Sequence, residues 1–117
     1  MREELFSKYR EVQFYNTKMF VAWDRLSRPW FDGKTIAKIL GYKNATEAVK
    51  KYCRVILLVT RNPHLHQPGD RGTKFYGISV LGIKELTKEL NSKVSYEVIH
   101  WANDIDLHHL REKRERA

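Results

Sequence analysis

The chain has 117 residues, enough for one domain with its own apolar core and too few for two cores of ordinary size. Lysine and arginine number 22 against 14 acids, a formal charge of +8 with a pI near 9.7, so the long-range field favours a polyanionic partner, either nucleic acid or an anionic membrane surface. No stretch approaches the roughly 18 to 20 apolar residues that span a bilayer, Met1-Arg2-Glu3-Glu4 lacks a signal-peptide core, and the lone Cys53 cannot form an internal disulfide. The expected setting is therefore intracellular, nucleus or cytoplasm, with no membrane partner.

In chain order, Val12-Gln13-Phe14-Tyr15 and Met19-Phe20-Val21-Ala22-Trp23 are rich in aromatic and β-branched residues and are separated by Asn16-Thr17-Lys18, which predicts a β-hairpin. Arg28-Pro29-Trp30-Phe31 reads as a third short strand, since the residue before a proline is driven out of the helical region. Asp32 is a good N-cap for a helix with Ile36, Ile39 and Leu40 on one face, and Gly41 stands where a left-handed terminating residue is wanted. Asn44 caps a second helix whose apolar positions Ala45, Ala48, Val49, Tyr52 and Cys53 follow helical spacing. The continuous apolar run Val55 to Val59 predicts a buried strand, and a long Pro/Gly/His loop from Arg61 to Thr73 separates it from another at Phe75 to Ile78. Ser79 caps a helix carrying Val80, Ile83, Leu86 and Leu90, and Asn91-Ser92 interrupts it before a longer one with Val94, Val98, Trp101 and Ile105 on a stripe. The result is an α+β class, with one domain over residues 1–110 and a charged tail from Arg111 to Ala117.

Two short helices joined through Gly41-Tyr42-Lys43 have the spacing of a helix-turn-helix, whose second helix enters the DNA major groove. On that second helix Lys43, Glu47, Lys50 and Arg54 share a face, flanked by Asn44, Thr46 and Lys51, which supplies phosphate contacts together with side chains able to read bases. A merely solvated charged face is the plain alternative, and Glu47 in mid-face favours it. Lys34 and Lys38 extend the basic surface onto the first helix. Arg61, Arg71 and Lys74 form a second basic group, with Gly69 and Gly72 allowing close backbone approach to phosphate.

Zinc is poorly served. His64, His66, Asp70, His100, His108, His109 and Cys53 include the right atoms, but there is no Cys-x-x-Cys, Cys53 falls on a buried stripe, and adjacent helical histidines diverge by about 100°. A nucleophile elbow, phosphate-binding glycine loop and paired-carboxylate arrangement are all lacking, and Asp104 and Asp106 diverge on their helix. Neither catalysis nor a cofactor is expected. Trp23, Trp30 and Trp101 each fall within an apolar pattern and read as core before they read as base-stacking platforms.

The stretch Trp30-Phe31-Asp32-Gly33-Lys34-Thr35-Ile36-Ala37-Lys38-Ile39-Leu40-Gly41-Tyr42-Lys43-Asn44, with Ala48-Val49 and Cys53 after it, resembles the Bro-N domain of baculovirus Bro proteins and phage antirepressor-like proteins. Thr73-Lys74-Phe75, Ser79, Leu81-Gly82-Ile83 and Trp101 are similar to the second half of that family. Two departures stand out: Ser79-Val80-Leu81-Gly82 replaces a Ser-Gly helix start, and no Leu/Ile-Pro follows the tryptophan between Ala102 and Leu107. The resemblance implies a DNA-binding α+β domain of a viral or prophage regulator of transcription or replication, usually joined to a variable C-terminal domain. The expected partner is DNA, double-stranded first and single-stranded second, reached through Lys34, Lys38, Lys43, Asn44, Thr46, Lys50, Lys51, Arg54, Arg61, Arg71 and Lys74. The rival is an antirepressor-like module that captures a repressor or host regulator through the Val94 to Ile105 helix, with a homodimer compatible with either.

Overall fold

The computed structural model describes residues 6–60, 74–90 and 92–116, apart from the side chains of residues 7 and 111–116. Within them an antiparallel sheet of five strands carries four helices, the α+β class expected. Strands β1 (Phe6–Phe14) and β2 (Thr17–Asp24) form the hairpin. Its connection is shorter than the expected Asn16-Thr17-Lys18: Phe14 pairs with Thr17 and Gln13 with Lys18, leaving a two-residue loop of Tyr15 and Asn16. Such loops need positive φ to match the strand twist, and Tyr15 supplies it at φ 50°. Its hydroxyl donates to Glu97 on the last helix, which fixes the loop against the body of the domain.

Strand β3 (Pro29–Asp32) follows a tight link organised by Asp24. The Asp24 carboxylate, itself buried, accepts from the backbone N–H groups of Leu26 and Arg28 at 2.9 and 3.0 Å, from Arg28 Nε at 2.8 Å and from Trp30 Nε1 at 3.1 Å. Burial pushes this carboxyl up, but the four donors outweigh it and hold it below its ordinary value.

Helix α1 (Gly33–Ile39) starts where Asp32 Oδ1 accepts from the Thr35 N–H at 3.3 Å, and it ends where Gly41 adopts φ 96°. A Cβ on Gly33 would stand 3.1 Å from both the Tyr76 carbonyl oxygen and Ile78, so glycine lets this helix start lie directly on the sheet. Helix α2 (Ala45–Tyr52) is capped by Asn44, which accepts from the Glu47 N–H. Then come β4 (Leu57–Thr60), β5 (Lys74–Ile78), α3 (Val80–Thr87) capped by Ser79, and α4 (Lys93–Arg116).

The strand order β1-β2-β3-β5-β4 makes β4 an edge strand, which corrects the expectation of a buried strand over Val55 to Val59. Only Val59 of that run is buried, whereas Leu58 is 59% exposed and Val55 lies outside the strand, also exposed. An unbroken apolar run fits two buried faces, but at a sheet edge alternate residues turn outward.

Alternation divides the apolar residues between two cores. Val21, Trp23, Phe31 and Ile78 face the helices and pack with Ile36, Val49, Ile83, Leu86, Val98 and Ala102. Ala22, Trp30, Val59 and Phe75 face the other way and enclose a second cluster with Phe6, joined by Tyr9, Phe20 and Leu57. In a flat sheet the edge strands would lie about 19 Å apart, four spacings of about 4.8 Å. Yet the Tyr9 hydroxyl of β1 donates to the Thr60 carbonyl of β4 at 3.0 Å, so the sheet curls enough for a side chain of one edge strand to reach the other beside the second cluster.

Helix α4 buries Val98 and Ala102, with Trp101, Ile105 and Ile99 partly covered. Val94, expected on the same stripe, is exposed in the first turn.

Candidate nucleic-acid interface

The helix layer covers only part of its sheet face. Ile78 lies beneath α1 and α3, but Tyr76, two residues earlier on the same face of β5, projects past the helices and is 38% exposed. Leu58 on β4 is its direct cross-strand partner, and Thr60 pairs with Lys74 one step further along. An open ledge of Leu58, Tyr76 and Lys74 therefore adjoins the first turns of α1 and α2.

Between ledge and helices lies a cleft of about 310 Å3 lined by Asp32, Lys34, Thr46, Leu58, Lys74, Phe75 and Tyr76. Thr46 and Lys50 stand one turn apart on α2, and the Lys50 ammonium lies over the Tyr76 ring, 5.5 Å from its centroid. Lys34 and Lys74 pair with no carboxylate among the described residues. The acid in the wall, Asp32, is committed to Thr35, accepting from its N–H and, at 3.0 Å, from its hydroxyl. The cleft thus combines three cations with an exposed aromatic ring and an exposed aliphatic side chain.

Of the residues expected to touch DNA, Lys34, Thr46, Lys50 and Lys74 are brought together here. Lys38 lies one turn beyond Lys34 on α1 and is exposed. Lys43 and Asn44 are exposed at the turn into α2, and Lys51 points to the opposite flank, its ammonium 5.2 Å from the Tyr52 ring. Arg54 is 89% exposed but paired: its Nε stands 3.6 Å from Glu85 of α3, which also accepts from the Arg54 N–H. Arg61 and Arg71 lie outside the described residues.

Tyr76 and Leu58 were missed in the sequence. A signal was available for the first: Phe75 and Tyr76 are neighbours on a strand, so one of the two rings must face away from the other's core.

A larger cleft, about 430 Å3, lies between the hairpin and α4, with Trp23, Trp101, Ile105, His108 and His109 in its walls. Arg10 is offset there by Glu11 and Asp104, which makes it a poor seat for a polyanion. Burial raises the Asp106 carboxyl on the same helix, partly offset by His109.

Among the described residues no three His, Cys, Asp or Glu side chains are placed to hold a metal ion; His64, His66 and Asp70 lie outside them. Burial, with Glu85 nearby, pushes the Cys53 thiol up to about 11, and its Sγ donates to the Gly82 carbonyl. It is therefore a protonated core group and not a thiolate ligand. No helix among the described residues is long and apolar enough to cross a membrane.

The family model for the BRO family, N-terminal domain, matches residues 18–108, from the start of β2 to near the middle of α4. The chain belongs to the BRO family. The match confirms the Bro-N resemblance and spans both helices and both strands that build the cationic cleft. No curated protein and no solved structure matches the chain.

Proposed function

We propose that this Bro-N domain is a DNA-binding regulatory module of a virus or prophage, acting on transcription or replication inside the host cell, in nucleus or cytoplasm, without catalysis or a cofactor. The observation that supports it best is the convergence of Lys34, Lys50 and Lys74 on one cleft although they come from three different elements. Cations gathered at one place with no carboxylate partner among the described residues repel one another; a phosphate backbone laid across them removes the repulsion. In this reading α2, the second helix of the helix-turn-helix-like pair, is set against the backbone, with Asn44 and Thr46 at its start close enough to read bases. Lys38 and Lys43 extend the track, and Arg54 contributes least because Glu85 already engages it.

The test is a fluorescence-anisotropy titration of the domain with random-sequence duplex and single-stranded DNA at two salt concentrations. Binding should weaken with salt by roughly 0.9 unit of log-log slope per phosphate contact on duplex. Affinity that ignores salt, or no binding at low salt, rejects the reading.

A second reading has its own observation. Tyr96, Leu107 and Leu110 are exposed on one side of α4, spaced by three turns and then one. This stripe, and not the largely buried Val98 to Ile105 stripe, is the surface through which an antirepressor-like module would hold a repressor, a host regulator or a second copy of itself. Replacing Leu107 and Leu110 by glutamate should abolish such capture and leave DNA binding intact.

A further inference from the structure

We propose that the Tyr76 and Leu58 ledge is a base-binding subsite that takes a single nucleobase turned out of the DNA stack, with Tyr76 as the stacking surface. The inference rests on the DNA-binding reading and adds to it what the cationic cleft alone does not provide, an interaction with the base itself.

Tyr76 shares a sheet face with the buried Ile78, and the helix layer stops short of it. Leu58, its cross-strand partner, is more exposed still, so the two form one continuous apolar step. Exposed apolar side chains in isolation are ordinary. Here Lys34 and Lys74 bound the step, and the Lys50 ammonium lies over the Tyr76 ring, 5.5 Å from its centroid, on a flexible side chain that a stacking base would displace toward its own phosphate. A flat apolar surface ringed by cations is complementary to a nucleotide, which has a flat ring and an anionic phosphate on the same unit. Shape agrees with charge: about 310 Å3 is at the small end of the roughly 300 to 1,000 Å3 that organic ligands occupy, so the cleft admits one planar group and excludes a paired duplex. Asp32 in the wall keeps its negative charge, but its oxygens are turned to Thr35 and it is outnumbered by Lys34, Lys50 and Lys74, so the site stays net positive.

The geometry fixes a division of labour. Lysines hold phosphates of any sequence, and Tyr76 adds affinity only where a base leaves the stack, as at a bulge, a mismatch or a single-stranded stretch.

The decisive experiment measures affinity for three oligonucleotides: an uninterrupted duplex, the same duplex with one extra, unpaired thymidine, and that bulge with an abasic sugar in place of the thymidine, the last two being equal in length and charge. The wild-type domain should bind the thymidine bulge at least about fivefold more tightly than the abasic one, the equivalent of one stacking contact. Tyr76→Ala should erase that difference and Tyr76→Phe retain it, each variant being checked for an unchanged melting transition. Equal affinity for the two bulges in the wild-type domain, or a preference that survives Tyr76→Ala, overturns the subsite while salt-sensitive binding to all three leaves the DNA reading in place. Failure to bind any of the three removes both.

Discussion

Aromatic rings wall both clefts of this domain, but they stand in opposite relation to the core. Between the hairpin and α4, Trp23 is 1% exposed and lies against the His109 ring at a centroid distance of 4.8 Å. Trp101 touches Phe14 and Phe31 at 5.3 and 5.7 Å, and its Nε1 donates to the Gln13 carbonyl at 3.1 Å. Trp101 joins hairpin to helix through both its ring and its Nε1, and Trp23 does so through its ring. In the cationic cleft Tyr76 has its backbone in the sheet and its ring outside any core, with lysines around it. A ring inside the apolar rhythm of the chain holds the fold, whereas a ring that the fold leaves open beside unpaired charge is free to meet a ligand.

The largest effect that would separate the two clefts is on Trp101. Trp101→Ala should destabilise the domain by about 3 to 5 kcal/mol in urea unfolding, while the folded fraction keeps its DNA affinity; a normal transition would mean that the tryptophan is not structural. Next comes Asp24→Asn, which removes the charge that Arg28 neutralises and Trp30 hydrogen-bonds and should cost about 2 kcal/mol at neutral pH. Because Asp24 is held below its ordinary value, its stabilisation is complete above the unfolded carboxyl pKa and is lost as pH falls through the lowered folded one. Acid unfolding of the wild type should therefore be steeper than that of Asp24→Asn, and parallel curves would contradict the assignment.

Reversal of Lys34, Lys50 and Lys74 to glutamate should leave stability within about 0.5 kcal/mol per site, yet lower DNA affinity tenfold or more, about 1.4 kcal/mol. A large loss of stability with affinity unchanged would make this cleft structural as well. The smallest effect is expected from Arg54→Ala. Glu85 already engages Arg54, so its loss should change affinity by no more than about twofold, roughly 0.4 kcal/mol. An effect as large as that of Lys50→Ala would move the interface toward the C-terminal end of α2.

Much of this fold was legible because its signals are local. Asp32, Asn44 and Ser79 cap helices as their side chains allow, and Gly41 terminates α1 in the left-handed region. Helical spacing also identified the buried face of α2. What local patterns do not contain is strand order. Val55 to Val59 reads as a buried strand, and only its position beyond β5 turns Leu58 to solvent. The site was legible in its charge but not in its focus: helical periodicity put Lys50 with Lys43 and Arg54, whereas the tertiary fold sets Lys50 beside Lys34 and Lys74 and turns Arg54 to Glu85.

The bond from Tyr9 to Thr60 makes the first strand a clasp on the far edge of the sheet. Thr60 pairs with Lys74, so the clasp closes next to the cationic ledge. The family match begins at residue 18, after β1. A fragment cut at that boundary would retain every residue proposed to meet DNA and still lose β1 with its Tyr9 bond to the edge of the sheet. Its lysines should then bind phosphate with ordinary salt dependence but less tightly, and the amide protons of β4 should exchange faster than in the full chain. The first strand, outside the family match, thus touches the sheet edge beside a surface about fifty residues away, and a boundary drawn by sequence similarity alone leaves that contact out.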